Sequence, residues 1–584
     1  MHAIGVRDPE KLPARDGRPR RWPWLAGAVL ACTAVLFFCY LRIAGTVRVN
    51  SDAAGLVLQA SDMLHGNLLL HGWWDTDVSY ITTELPEYMG VTAAAGVRPD
   101  VVHICSALTY TLLVLLAAFV ARGRARGAEG IVRALLAATV MLAPQPNGPT
   151  QVLLGSPDHV GTAVPLLLLL LLLDRAPDPR ARARWYFPVA GAVCIATAAL
   201  LAWVIIGDPL AEVVGIVPLV IACLLRAFKM SVIRSVRAWR EVVYLVLLAG
   251  AAALAYPLAQ LGNSLIRSHY GYQLGPNRYG LLPWHAMAKD VPMLWQSFLV
   301  LFGADYSGVH GAGNVAFALA HLAGVAVVIA GIGFGLWRLV VPSRAARAGD
   351  LVADFLVLAV LVNIAAYFAF VQPANIYDAH EIGPVLAFGA ALAGRMLGGP
   401  LLRAWRAARE KREKQPDKQA QEPGSQPRPR LSAPRRPAAR VLVSVLAAGL
   451  ACYVALLGVA AASPQSAPQN DTLTTWLSEH RLTSGIASYW EASSVTVNSG
   501  GKITMLAVGI HGSNHLLGPD KWETDVRLDN PKAYSMNFVV AGPDRIVPVK
   551  LAVRMFGKPA RTYRYGPYTI MVWDKNLLGP LNPA

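Results

Sequence analysis

Repeated apolar runs of about twenty residues are the feature that most constrains the fold of this 584-residue chain. A helix of about 20 residues crosses the ~30 Å hydrocarbon core of a bilayer. Apolar residues make up 54% of the sequence and charged residues 15%, whereas soluble domains carry about 25% charged residues. The sequence therefore predicts a multi-pass α-helical membrane protein.

About eleven such spans are predicted, and basic residues fill alternate loops between them. Cytoplasmic loops carry an excess of Lys and Arg, so the pattern places the N-terminus in the cytoplasm. The distribution of the basic residues behind the formal net charge of +17 therefore indicates the topology of the chain in a cell membrane. The charge does not predict nucleic acid as a partner. The third and fourth spans are short, and a miscount there would swap the sides of all later loops. The predicted spans are 22–42, 100–121, 130–143, 160–173, 186–206, 210–225, 242–262, 315–337, 351–371, 382–398 and 441–462.

These spans divide the chain into a membrane module, a linker and a terminal domain. The stretch 399–440 is basic and rich in Pro, Gln and Gly, which predicts a disordered cytoplasmic linker. In the second large loop, Val291 to Phe302 is apolar but too short to span, so we expect an interfacial or re-entrant helix. The predicted regions are a cytoplasmic tail (1–21), a transmembrane module (22–398) with outside loops 43–99, 144–159, 263–314 and 372–381, the linker (399–440), the last span (441–462) and an extracytoplasmic C-terminal domain (463–584).

The C-terminal domain is predicted to be a small α+β or β-rich unit. Thr472 to Arg481 favours a short helix, and turn residues separate the alternating stretches that follow. All six cysteines lie in apolar runs, so this domain should hold no disulfide framework. The predicted strands are Ser493–Val497, Lys502–Val508, Ser535–Val540 and Tyr568–Trp573.

The first outside loop holds the clearest candidate for a catalytic residue, Asp52. It stands directly after the first span, at the start of a helix whose apolar positions recur from Ala53 to Leu64. Capping that helix would by itself explain an aspartate. The alternative is catalysis, because sugar transfer from a phosphate-linked lipid needs a base for the acceptor hydroxyl or a metal that stabilises the departing phosphate. A carboxylate at the membrane boundary can do either.

A first span, an acidic residue and a helix of the form A-x-x-M/L-x-x-G together resemble the GT-C superfamily of integral membrane glycosyltransferases. That superfamily includes protein O-mannosyltransferases, aminoarabinose transferases and oligosaccharyltransferases. The resemblance implies a GT-C-like module that moves sugar from a polyprenyl-phosphate-linked donor to an extracytoplasmic acceptor. It places the key acidic residue at Asp52 and a second at Asp158 in the next outside loop. The Asp-Glu pair frequent in the family is absent, since Ala53 follows Asp52.

Further polar residues of the outside loops are candidate substrate contacts. A divalent cation, Mg²⁺ or Mn²⁺, is also possible, and its predicted ligands are Asp52 and Asp158. Aromatic faces stack on sugars and Arg pairs with phosphate, although an aromatic belt, a plain structured loop or snorkelling side chains would explain the same residues. The predicted substrate-binding residues are His159, Trp74, Glu84, Arg267, Tyr270, Arg278, His380 and Glu381.

Two other functions compete with glycosyl transfer. A transporter or flippase of a lipid-linked saccharide would place polar groups at mid-membrane, often in repeated halves, whereas the acidic residues here cluster at span ends and no repeat is visible. A non-catalytic assembly protein would not need two large outside loops rich in polar and aromatic residues. The sequence leaves the sugar, the lipid chain and the acceptor open.

Overall fold

The computed structural model describes residues 22–155, 158–176, 186–231, 236–275, 280–306, 311–341, 349–371, 373, 375–413, 438–511 and 515–581. Within these ranges, eight helices are long and apolar enough to cross a membrane, so the multi-pass helical architecture is confirmed. The helices of the membrane module are α1 (Trp22–Ala44), α2 (Ser51–Leu64), α3 (Leu85–Ala95), α4 (Asp100–Arg122), α5 (Gly127–Met141), α6 (Gly148–Leu154), α7 (Ala163–Arg175), α8 (Tyr186–Gly207), α9 (Val217–Ser231), α10 (Val236–Ser268), α11 (Trp284–Leu301), α12 (Ala312–Val340), α13 (Leu351–Phe370), α14 (Gly383–Glu413) and α15 (Ala438–Ala461).

Three of the eleven predicted spans are not among these eight. Helices α5 and α7 occupy the third and fourth predicted positions but contain 15 and 13 residues. At 1.5 Å per residue, α7 rises only about 20 Å, less than the bilayer core. Helix α15 occupies the eleventh position, and its described apolar part is Ala447–Ala461. The count of eleven therefore stays a prediction.

Helix α14 corrects the predicted disordered linker. The helix continues to Glu413, so residues 399–413 are helical although the prediction placed disorder from 399. Its buried Arg395 pairs with Asp174 and Asp350 and donates to the Val120 carbonyl, which ties the first half of α14 to α4, to α7 and to the residue before α13. Residues 399–413 consist mainly of Ala, Leu, Arg, Lys and Glu, which are good helix formers, so their basic composition does not imply disorder. Residues 414–437 lie outside the described part.

The second large loop contains α11, which is 18 residues long with Pro292 inside it. The predicted helix over Val291 to Phe302 is thus present but begins earlier, at Trp284. Helix α10 likewise extends through Ser268, five residues beyond Asn263, where that loop was expected to begin. Both differences come from polar residues that continue a helical turn past an apolar run, which hydropathy alone does not detect.

A small sheet joins three distant parts of the chain. Its strands are β1 (Trp73–Asp75), β2 (Gln273–Leu274) and β6 (Thr524–Asp525), in the order β2-β1-β6. Trp74 pairs with Gln273 in parallel and with Thr524 in antiparallel register. Segments that share backbone hydrogen bonds must lie on one side of any membrane that the helices cross. The first loop, the second large loop and the C-terminal domain therefore share a side.

The C-terminal domain is an α+β unit built on a six-stranded sheet. Its strands, in spatial order, are β5 (Leu516–Pro519), β4 (Thr504–His511), β3 (Ser484–Ala487), β7 (Phe538–Ala541), β9 (Tyr568–Val572) and β8 (Arg561–Tyr565). The stretch Ser493–Val497, predicted as a strand, is instead part of a helix, which is a correction. Ala492 and Val495 are buried at helical spacing there, so packing overrides the β-branched residues. The helices of this domain are α16 (Asp471–Glu479), α17 (Tyr489–Asn498), α18 (Val549–Phe556) and α19 (Leu578–Leu581).

Candidate active site

A cavity of about 640 Å³ opens at the shared-side ends of the membrane helices. Phe370, which ends α13, and Val371 form part of its wall together with Leu281 and Leu282. The cavity thus combines an apolar side at the level where a span ends with a polar side formed largely by the loops of the shared side. The polar residues that line it are Asp52, Thr76, Asp77, Tyr80, Asp158, His159, Asp378, His380, Glu381, Trp522 and Glu523.

Helix α2 presents Asp52 to this cavity. The side chain of Asn50, and not Asp52, caps the helix by accepting a hydrogen bond from the Ala53 amide at 3.2 Å. The expected capping role of Asp52 is therefore taken by Asn50, which also donates to Asp52 Oδ2 at 2.8 Å. Burial, opposed by a hydrogen bond from Tyr489 and reinforced by repulsion from Asp158, raises the pKa of Asp52 to about 6.

Two C-terminal-domain residues hold Asp52 from the other side. The Tyr489 hydroxyl lies 2.5 Å from Asp52 Oδ1 and 2.6 Å from Glu523 Oε2. A phenol has one proton, so it cannot donate to both carboxylates at once. Burial and the nearby Asp52 charge raise the pKa of Glu523 well above its usual value, so Glu523 keeps a proton. The neutral Glu523 can then donate to the Tyr489 oxygen while Tyr489 donates to Asp52.

Asp208 orients His159 at the back of the cavity. Asp208 follows the last residue of α8, and its Oδ2 lies 3.0 Å from His159 Nδ1 while it also accepts from the Thr162 hydroxyl. Burial opposes the charge on Asp208, but these contacts and the Leu210 amide hold its pKa below the usual value. Burial likewise opposes protonation of His159, but Asp208, Glu381 and Asp158 hold the imidazole pKa well above normal. The Nδ1 atom of His159 is thereby fixed as a donor.

His159, His380 and Glu381 form a cluster whose ligand atoms all lie within 4.8 Å of one another. His380 Nδ1 lies 2.8 Å from the Tyr377 carbonyl, which can only accept, so this nitrogen is also a donor. The two rings stack at 5.5 Å, and Glu381 oxygens lie 3.7 Å from His159 Nε2 and 3.8 Å from His380 Nε2. Both Nε2 atoms therefore face one carboxylate, an arrangement suited to a divalent cation.

Acidic side chains predominate among the ionisable residues that line the cavity. Six carboxylic acids line it, and among its described lining residues there is no Lys or Arg. Such a lining repels a phosphate group unless a cation accompanies it. The lining acids are Asp52, Asp77, Asp158, Asp378, Glu381 and Glu523.

Five of the sequence-predicted site residues meet in this cavity: Asp52, Asp158, His159, His380 and Glu381. The other predicted substrate-binding residues that the structure describes are not among the residues that line this cavity.

The Lys521 ammonium lies over the Trp74 ring, 4.8 Å from the ring centroid. The side chain of Tyr270 is 82% exposed. Arg267 is exposed on α10, with Nε donating to the Asn263 carbonyl. Glu84 is 2% exposed beneath the cavity, where a Cβ at Gly161 would lie 2.2 Å from its Oε1. Arg278 lies outside the described residues.

Sequence reasoning missed Asp208, Tyr489 and Glu523. A signal existed for Asp208, since it stands in a Gly-Asp-Pro break directly after a span, as Asp52 follows the first span. Tyr489 belongs to the segment Gly485 to Ala492, and no pattern in that segment predicts a catalytic or binding role for Tyr489. Glu523 has no local signal, because only the tertiary fold brings it to α2.

Comparison with known proteins gives remote structural similarities only. No protein-family model and no curated protein sequence matches the chain. The oligosaccharyltransferase of Archaeoglobus fulgidus, tethered to an acceptor peptide, is 14% identical, with 90% of this chain and 70% of that chain covered and a TM-score of 0.48. ArnT from Cupriavidus metallidurans bound to undecaprenyl phosphate is 13% identical, with 94% and 98% covered and a TM-score of 0.49. The apo form of the same ArnT is 12% identical, with 96% of this chain and 100% of that chain covered and a TM-score of 0.37.

Proposed function

We propose that this chain is a membrane glycosyltransferase that moves a sugar from a polyprenyl-phosphate-linked donor to an extracytoplasmic acceptor. One observation carries the proposal: Asp52, Asp158 and the His159–His380–Glu381 cluster line a single cavity at the ends of membrane-spanning helices. Transfer from a phosphate-linked lipid can draw on a base, on a bound cation and on a position that the lipid can reach. The site unites them.

The walls of the cavity suit a donor that is half lipid and half sugar phosphate. Phe370 and Val371 stand where a membrane span ends, and Leu281 and Leu282 extend the apolar side. A polyprenyl chain would lie against these residues with its phosphate at the membrane–water boundary. The sugar would then face the polar side, where Asp52 is located.

Asp52 acts as the base in this proposal. The acceptor hydroxyl gives its proton to the Asp52 carboxylate while the acceptor oxygen bonds to the anomeric carbon. The bond from that carbon to the phosphate oxygen breaks, and polyprenyl phosphate leaves. Tyr489 and Asn50 orient the carboxylate through hydrogen bonds of 2.5 and 2.8 Å. A pKa of about 6 leaves Asp52 mostly ionised at neutral pH and still basic enough to accept a proton.

The donor set of the cavity fits a divalent cation such as Mg²⁺ or Mn²⁺. His159, His380 and Glu381 would hold it, in place of the Asp52 and Asp158 pair expected from the sequence, and Asp158 lies in the same cavity. A bound cation would withdraw negative charge from the departing phosphate. The acidic lining supports this requirement, because six of the described lining residues are carboxylic acids and none of them is a Lys or an Arg.

The proposed orientation places the N-terminus in the cytoplasm and the cavity outside. The small sheet of β1, β2 and β6 supports one common side for the loops and the terminal domain. Basic residues such as Arg124, Arg226 and Arg395 line a charged cavity at the opposite helix ends, as the positive-inside rule expects.

Transfer in isolated membranes tests the proposal. Membranes carrying radiolabelled polyprenyl-phosphate sugars should move label to a water-soluble or protein acceptor, and Asp52→Asn should slow this by about a hundredfold or more. Asp100→Asn is the matched control, because it changes an exposed aspartate in the first turn of α4. Wild-type transfer rates in correctly inserted Asp52→Asn would contradict the assignment. Lipid-linked sugar that crosses the bilayer without transfer would favour the transporter.

A further inference from the structure

A second cavity, of about 550 Å³, lies on the C-terminal domain where the chain enters it from the last span. Among the described residues, none that lines it also lines the first cavity. Its size falls within the range of ~300–1,000 Å³ that small-molecule sites occupy. The lining residues are Arg48, Ala467, Pro468, Gln469, Asn470, Asp471, Thr472, Trp490, Glu491, Pro543, Asp544 and Tyr568.

Two aromatic residues give this cavity apolar faces held in place by hydrogen bonds. The Trp490 carbonyl accepts from the Ser51 hydroxyl and the Asn470 amide, each at 2.9 Å, so the backbone is fixed while the residue stays 38% exposed. The Tyr568 hydroxyl donates to Asn470 Oδ1 at 2.6 Å. Rigid aromatic faces with a polar rim are the surfaces against which sugar rings stack.

Two carboxyl groups bridged by the Ser488 hydroxyl give the cavity further polar groups. The Ser488 hydroxyl contacts Glu491 Oε2 and Asp544 Oδ2, and its single proton can serve only one of them. Glu491 is 3% exposed, and burial together with the Asp544 charge raises its pKa to about 7, so about half of the Glu491 carboxyls carry a proton at neutral pH. Gly542 makes room for it, since a Cβ there would lie 2.2 Å from Glu491 Oε1.

The chemistry of the whole lining selects among ligand classes. Three carboxylic acids against a single Arg disfavour phosphate and other anions, and the polar side chains disfavour a purely apolar ligand. Carboxyl, amide and hydroxyl groups beside two aromatic rings match a saccharide, which presents adjacent hydroxyls at its edge and C–H groups on its face. We infer that this cavity binds a neutral saccharide, with Trp490 as its stacking face. The binding proposal holds whether or not the chain transfers sugar.

The position of the cavity links it to the first one. Trp490 follows Tyr489, whose hydroxyl bonds Asp52, and the two rings meet edge to face at 5.2 Å. A saccharide on Trp490 would therefore lie one residue from the side chain that orients the proposed base.

Binding to the purified full-length protein in lipid nanodiscs tests the inference. The probes are linear glucan, mannan, galactan and arabinan oligosaccharides, each followed by calorimetry. At least one should bind, and Trp490→Ala should weaken that binding by about fivefold or more. Tyr534→Ala is the control, since Tyr534 is a 40%-exposed aromatic of the same domain outside the cavity. Asp544→Asn and Tyr568→Phe remove little volume and should also weaken binding. They serve as the test variants if Trp490→Ala does not fold.

Three results would overturn the inference. They are no binding by any of the four probes, weakening below fivefold in every folded variant, and binding that His380→Ala abolishes while Trp490→Ala leaves it intact. The last would place the saccharide in the first cavity.

Discussion

Tyr489 donates a 2.5 Å hydrogen bond to Asp52 Oδ1 across 437 residues of sequence. Asp52 belongs to the membrane module and Tyr489 to the C-terminal domain, so the proposed base is completed only when the two parts pack together. A Glu523 carboxyl 2.6 Å from the same hydroxyl extends the contact. The C-terminal domain is therefore part of the site and is more than a cover over it.

Tyr489→Phe should move the acid limb of transfer to higher pH. The hydrogen bond from Tyr489 lowers the pKa of Asp52, which burial raises to about 6, so its loss lets that pKa rise further. A hydrogen bond to a charged group contributes about 1.5–3 kcal/mol, which corresponds to a shift of roughly one pH unit or more. The rate should fall at pH 6 and change less at pH 8. A pH–rate profile measures this, with exposed Tyr534→Phe as control.

An unchanged acid limb in Tyr489→Phe would show that Asp52 does not set it. Equal loss of rate at every pH would instead indicate displacement of the domain, because a purely structural defect has no reason to follow the ionisation of Asp52.

Asp52→Asn should stabilise the protein at alkaline pH although it slows transfer. The folded pKa of about 6 exceeds the ordinary aspartate value of 3.8, so the folded state binds the proton more tightly. Ionisation therefore costs stability as pH rises from about 4 to about 6, and the full penalty of roughly 3 kcal/mol applies above that window. Thermal unfolding at pH 4 and pH 8 should show the variant gaining only at pH 8. Equal melting shifts at both pH values would contradict the raised pKa.

The features that made Asp52 a candidate could be recognised in the sequence because each of them lies within a short stretch of the chain. An aspartate directly after an apolar span and a second one in the next outside loop predicted a shared site, and both line one cavity. The hydropathy pattern succeeds for the spans because the bilayer imposes a length and an apolar composition on each one separately.

The rest of the site depends on tertiary packing that no local pattern encodes. Glu523 stands next to β6, and the pairing of β6 with β1 and the packing of α17 on α2 bring it to α2. Residues Ser493–Val497 alternate like a strand, yet α17 forms because its buried face fits the sheet and α2. That helix begins at Tyr489, so the mistaken strand and the missed tyrosine have the same cause.

Asp208→Asn should weaken divalent-cation binding without removing a proposed ligand. Asp208 fixes His159 Nδ1 as the donor and leaves Nε2 toward Glu381, and loss of such an orienting carboxylate typically costs about 10–100-fold in metal affinity. Titration of Mn²⁺ against the melting temperature measures this, because a ligand that binds the folded state stabilises it. Asp100→Asn should retain the wild-type Mn²⁺ response. Absence of any Mn²⁺ response in the wild type would refute the cation site.

Gly55→Ala should disrupt the contact between α2 and Glu523. A Cβ at Gly55, one turn after Asp52, would lie 2.7 Å from Glu523 Oε2, closer than real contacts allow. Alanine favours a helix over glycine by about 1 kcal/mol, so propensity alone predicts stabilisation. Gly90→Ala in α3 is the matched control, since a Cβ there would meet no atom within 4 Å. We expect Gly90→Ala to keep or raise the melting temperature and Gly55→Ala to lower both stability and transfer, because Glu523 must move away from Tyr489. If Gly55→Ala behaved like Gly90→Ala in both measurements, the close packing of the C-terminal domain on α2 would not hold Asp52 in place.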